Sequence, residues 1–196
     1  MDSSNSFSSQ EESYDTEEVE EEETQSKTTK EETKLANSNI IKSISSALTM
    51  IIDENKNLKN FKKILQNQKI IIFNAISIPK ISIYDYLIRI QTYSNIEKST
   101  LISSLVYVDR MCHISQLILT HYNIHRILFA SIIIAIKYNE DSFYDNKYYS
   151  QIAGVNLKEL NIMENTFLEM CHFNLYISDE IFEKYSKYLN SLVNNV

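Results

Sequence analysis

From Asn39 onward the apolar positions of the chain fall into helical spacing. Ile40, Ile41, Ile44, Leu48, Ile51 and Ile52 recur at three- and four-residue steps and predict a helix to about Glu54. The pattern is ambiguous over 61–78 and is broken at Pro79. It resumes in "ISIYDYLIRI", where Ile83, Leu87 and Ile90 line up, and again in "NIEKSTLISSLVYVDRMC", where Leu101, Ile102, Leu105 and Val108 do. Asn123 stands as the N-cap of a helix from Ile124 to about Asn139. That helix is apolar on every side, which predicts the buried centre of the fold. A short helix around Asp145 to Ile152 is stopped by Gly154. Asn156 with Glu159 three residues on forms a capping-box pattern opening a helix to about Cys171, and a last helix spans roughly Asp179 to Leu192.

Ahead of this pattern, residues 1–37 lack an apolar stripe. "EEVEEEETQSKTTKEETK" has almost no side chains able to offset chain entropy, and its like charges repel, so a disordered acidic N-terminal tail is expected, followed by one domain over 38–196. The net charge of −7 is misleading when taken over the whole chain. Residues 1–35 hold 12 acids and 3 bases, leaving 14 acids and 16 bases for the rest. A nearly neutral folded part does not suit a binder of the nucleic-acid backbone.

Composition narrows the chemistry. One glycine and one proline in 196 residues exclude glycine-rich phosphate loops and nucleophile elbows, and disfavour the turns of sheet-rich folds. An all-α fold is expected. Cys112 and Cys171 do not make a disulfide framework. The polar, acidic start is neither a signal peptide nor a presequence, and no apolar run reaches the ~18 residues of a membrane span. A nuclear or cytoplasmic protein is expected, with no membrane partner.

Three charges stand in apolar stripes. Asp109 falls on the line 101, 102, 105, 108, 109, 112. Glu164 falls on 157, 160, 164, 167, 168, 171. Lys137 follows Ala130, Ile133 and Ile134, at the end of the apolar run ILFASIIIAI. A buried unpaired charge costs several kcal/mol, so each needs a partner inside the fold or on another protein, unless it snorkels from the stripe's edge into water.

Six segments, in order, carry a resemblance. They are Pro79 to Tyr86, Tyr107 to Arg110 (Y-x-D-R), His125 to Leu128 (H-R-x-L), Lys137 to Asp145, Tyr149 to Gly154 and Leu160 to Leu168 (L-N-x-x-E-x-x-F-L). Together they resemble a cyclin box, and more narrowly the P/U-type cyclins, over about residues 40–190. The resemblance implies an all-α, single cyclin-box domain. About five core helices would surround a buried central helix, with flanking N- and C-terminal helices after the tail. It implies a regulatory, activating subunit of a cyclin-dependent serine/threonine protein kinase, with no catalytic residues, cofactor or small-molecule substrate of its own.

By the same resemblance Lys137 and Glu164 contact the kinase around its C helix, with Tyr138, Leu168 and Phe173 as apolar contacts. Asp109 is the buried aspartate of a structural ion pair, with Arg89 the candidate partner. Lys137 would then end the apolar run because the central helix emerges there at the partner-facing surface.

Departures from the family are specific. The substrate-docking motif M-R-A-I-L is absent, so recruitment of R-x-L substrates is not expected. A second helical repeat is not expected within these residues. Ala153 replaces the first glycine of the usual pair. A cyclin-fold adaptor that binds a transcription or scaffold protein without activating a kinase is the alternative.

Other sites fail on geometry. Cys112-His113 and Cys171-His172 offer two Cys-His pairs, but adjacent helical residues point ~100° apart and no C-x-x-C loop is present, so neither zinc nor a cysteine nucleophile is expected. His125-Arg126 at a helix start reads as structural. Tyr144, Tyr148 and Tyr149 are candidates for an aromatic patch.

Overall fold

The computed structural model describes residues 37–63 and 71–193. The expected tail therefore lies outside the described residues, except for Asn37. Among the described residues the regular structure is entirely helical. Helix α1 covers 37–56, a 3-10 turn spans Ile71–Phe73, and six helices follow: α2 (Ile83–Ser94), α3 (Lys98–Ser115), α4 (Ile124–Asn139), α5 (Asn146–Ala153), α6 (Leu157–Met170) and α7 (Asp179–Val193).

Helix α4 sits at the centre. It packs most extensively on α3, then on α6, and also meets α2, α5 and the 3-10 turn. Every residue from Ile127 to Ile136 is at most 2 % exposed. The Ile132–Ile134 run lowers intrinsic helix propensity, because β-branched side chains lose rotamer freedom against the preceding turn. Burial outweighs this. Each fully buried Ile, Leu or Phe contributes ~1.5–3 kcal/mol, an upper figure for chains whose unfolded state is already partly compact. A charge at Ile133, which is 0 % exposed, would break the core.

The helix ends follow local chemistry. Ser82 caps α2 by accepting the Asp85 amide at 3.0 Å, three residues after Pro79. Asp145 caps α5 and Asn156 caps α6 in the same way, each at 2.8 Å. Gly154 ends α5 with φ +71°, and a Cβ there would meet nothing within 4 Å. Its glycine is thus required by backbone conformation and not by space.

Three expectations are corrected in detail. Asn123 occupies the N-cap position of α4 but does not cap it. Its side chain accepts the Thr120 amide (2.8 Å) and donates to the Ile118 carbonyl (2.9 Å), so the preceding loop claims both of its polar ends. The Asn156–Glu159 box is half formed, because the Glu159 carboxylate turns to Arg126 instead of back to the cap. Ile51 is exposed. It rims a cleft of about 200 Å³ between α1, α3 and the 117–119 loop, while Ile40, Ile41, Ile44, Leu48 and Ile52 are buried as the spacing predicts.

Candidate partner-binding surface

Where α4 leaves the core, Ile136 is buried and Lys137 begins to emerge, its side chain 27 % exposed. A cation in the last helical turn also complements the negative end of the helix dipole. Lys137 Nζ donates to Glu164 Oε1 at 2.6 Å. Glu164 is the more deeply held partner, with its side chain 13 % exposed. Its other oxygen accepts from Asn146 Nδ2 at 2.7 Å, and the same amide nitrogen donates to Asn161 Oδ1 at 2.8 Å. One carboxylate therefore joins the end of α4, the start of α5 and the middle of α6. Two of the three charges that stand in the stripes, Lys137 and Glu164, thus satisfy each other.

Apolar residues adjoin this network. Leu168, one turn beyond Glu164, packs against the core and is partly buried. Its carbonyl accepts the Phe173 amide at 2.9 Å in the reversal that ends α6. Tyr138 and Phe173 present their rings to solvent, 54 % and 67 % exposed. His172 and Phe173 both adopt left-handed φ, +51° and +54°, a conformation costing non-glycine residues ~1–2 kcal/mol each. Tyr176, three residues on, is 71 % exposed.

The structure does not form the expected Arg89–Asp109 pair. Arg89 is exposed on the outer side of α2, off the line of Ile83, Tyr86, Leu87 and Ile90, and donates to the Gln151 carbonyl of α5 at 3.3 Å. Asp109 is exposed as well, and accepts from the Tyr185 hydroxyl of α7 at 2.6 Å. The buried aspartate that the family resemblance implies is therefore not found at Asp109, and the stripe on α3 could not test it, because that helix is buried almost all round from Thr100 to Val108 and has no contrasting polar face there.

A second cross-helix ion pair joins the same two helices. Arg126 Nη2 pairs with Glu159, and Arg126 Nε donates to the Ile72 carbonyl at 2.9 Å, fastening α4 to α6 and to the 3-10 turn. The H-R segment and the acidic residue of the capping box were both visible in the sequence, but their spatial relation was not. His125 serves structure. Its Nε2 donates to the Ile81 carbonyl at 3.0 Å, its ring meets Tyr86 edge-on at 5.1 Å, and burial pushes its pKa below the ordinary histidine value.

Tyr144, Tyr148 and Tyr149 do cluster, with Tyr144 and Tyr148 centroids 4.3 Å apart. Burial pushes Cys112 up to about 12 and Cys171 up to about 11. Both are protonated thiols at neutral pH and poor nucleophiles. Among the described residues no group of three His, Cys, Asp or Glu side chains gathers to hold a metal, and no helix is long and apolar enough to cross a membrane.

A central buried helix wrapped by short capped helices, with a paired lysine and glutamate where it surfaces, is the arrangement that the cyclin box was expected to have. The family description of cyclins matches residues 7–175. The chain is 33 % identical over 153 residues to cyclin-U4-1 of Arabidopsis thaliana, covering 78 % of this chain and 75 % of that protein. It is 38 % identical over 123 residues to the PHO85 cyclin-like protein psl1 of Schizosaccharomyces pombe, covering 62 % and 51 %. With PHO85 cyclin-7 of Saccharomyces cerevisiae it shares 33 % identity over 138 residues, covering 64 % and 48 %. The chain thus spans about half the length of these two fungal relatives. It belongs to the cyclin family, of the P/U type, whose members are regulatory subunits and not enzymes.

Proposed function

We propose that this cyclin is the activating subunit of a cyclin-dependent serine/threonine kinase, binding the region around the kinase C helix through Lys137, Tyr138, Glu164, Leu168 and Phe173. The observation that carries the proposal is the Lys137–Glu164 pair at the point where α4 surfaces, with Tyr138 next in the chain and Phe173 in the reversal that ends the helix of Glu164, both exposed. Activity in such a kinase requires the C-helix glutamate to pair with the strand lysine and the activation loop to open. A partner favours that state only through contacts that are stronger in it than in the inactive state. A pre-paired lysine and glutamate offer charge-assisted hydrogen bonds without a further ordering cost, and the aromatic rings offer area to bury. The names of the two fungal relatives refer to PHO85, which supports a kinase partner of that kind.

Affinity capture from native cells followed by a histone-kinase assay tests this. Wild-type chain should retain a cyclin-dependent kinase and its activity. Lys137→Ala with Glu164→Ala should lose ~2 kcal/mol or more of binding. Capture of a transcription or scaffold protein with no kinase activity would favour the adaptor role instead.

A further inference from the structure

The Y-x-D-R segment of α3 is not used by the kinase-facing residues, yet all three of its named side chains reach the C-terminal part of the chain. Tyr107 donates its hydroxyl to the Leu175 carbonyl at 3.0 Å. Arg110 donates to the Asn174 carbonyl through Nη1 and to the Tyr176 carbonyl through Nη2, the latter at 2.9 Å. Asp109 accepts from Tyr185.

Residues 174–178 have no regular structure. Three consecutive carbonyls of this segment are therefore satisfied by side chains of a neighbouring helix and not by a ladder or a helical turn. A guanidinium suits the outer two, because its planar fork presents donors in fixed directions that an ammonium lacks.

The segment is held by its backbone while its aromatic side chains stay free. Phe173 and Tyr176 are among the most exposed large apolar residues of the chain. Just before them, His172 and Phe173 carry consecutive left-handed conformations, which persist only where the surroundings over-determine them. Strain stored to keep a phenylalanine in water does not serve the core.

We propose that Arg110, with Tyr107, is the positioning device of the partner surface. It clamps 174–176 so that Phe173 and Tyr176 stand preorganised for the kinase. This rests on the kinase-binding proposal above. Preorganisation acts by removing the ordering cost at the moment of binding.

The test uses the full chain and the cyclin-dependent kinase captured with it. In the free chain, Arg110→Met should speed hydrogen exchange at the Phe173 and Asn174 amides and leave those of α4 unchanged. Its kinase affinity should fall roughly tenfold. Arg110→Lys, whose donors all sit on one nitrogen and cannot hold both outer carbonyls in the same fork, should recover only part of that affinity. In a Phe173→Ala background the Arg110→Met loss should largely vanish, because residues acting through one another are not additive. Tyr107→Phe, which removes a single hydroxyl, gives the same directions at smaller amplitude should Arg110→Met fold poorly.

Unchanged exchange in Arg110→Met, full recovery by lysine, or an equal loss in both backgrounds would each overturn the clamp while leaving the kinase reading intact. Full-strength binding by Phe173→Ala would overturn the kinase-facing surface itself, and with it any positioning role.

Discussion

Lys137 and Glu164 lie within 2.6 Å of each other, bridging the last turn of the central helix and the middle of α6. The two charges that most needed partners are therefore partners, and the surface they form is part of the free fold. Their removal should be felt before any kinase is added. Glu164 is the less exposed of the two, so Lys137→Ala leaves its carboxylate short of a donor and should destabilise the free domain by ~1–3 kcal/mol. The partial exposure of both side chains and the Asn146 bond moderate the loss. Urea unfolding of both single variants and the double variant should give a coupling energy of ~0.5 kcal/mol or more. Strict additivity would mean that the pair contributes nothing to the fold.

Asp109→Ala should be mild. Asp109 is exposed and gains one hydrogen bond, from Tyr185, so its loss should cost ~1 kcal/mol or less. A buried structural ion pair would instead cost ~3–5 kcal/mol when one partner is removed. Thermal melts of Asp109→Ala and Arg89→Ala separate the two cases. A loss of several kcal/mol in both would restore the pairing that the geometry denies.

Deleting residues 1–36, which spares the buried Asn37 of α1, should leave the melting temperature and kinase capture nearly unchanged, because the segment carries charge but no apolar stripe to dock. The cyclin family match begins at residue 7, which makes the experiment discriminating. A drop of several degrees on deletion would assign the acidic segment a structural role.

The helices were readable because their apolar spacing, caps and breakers agree. Asp145, Gly154 and Asn156 each stand at a helix end, and Pro79 lies in the connection just ahead of α2 and its cap Ser82. Lys137 and Glu164 were readable as anomalies for the same reason, since a charge is conspicuous in an otherwise apolar line. What failed was pairing. Periodicity reports which face of a helix is inward but not which residue of another helix it meets, so it carries no sign of the Arg126–Glu159 bridge, and the Arg89 partner that the family resemblance implies for Asp109 lies against Gln151 instead. The left-handed turn at His172 and Phe173 left no trace either, because the residues that adopt it are not glycines.

The pH dependence of stability should carry a mark from Glu140. It stands at the C-cap of α4, and its Oε1 accepts the Glu97 amide at the N-cap of α3, at 3.2 Å. Burial raises its pKa above the ordinary 4.5, and the nearby Glu97 carboxylate adds to the effect, against the hydrogen bonds from the Glu97 amide and Thr100. The native state therefore binds the Glu140 proton more tightly than the unfolded chain does. Between 4.5 and the raised value the folded form holds more protons, so this residue's contribution to stability declines as pH rises through that window. At neutral pH the ionised carboxylate is a burden that the fold tolerates. Glu140→Gln keeps an acceptor for the Glu97 amide but cannot ionise. It should be more stable than wild type at pH 7, with the difference shrinking as pH falls and vanishing below about 4.5. Urea unfolding of both proteins at matched pH values measures that gap directly, and other carboxylates cancel because both chains share them. A gap that stays constant with pH would show that Glu140 is not desolvated in the fold. A gap of opposite sign would show that its negative charge is itself a stabilising part of the α3–α4 junction.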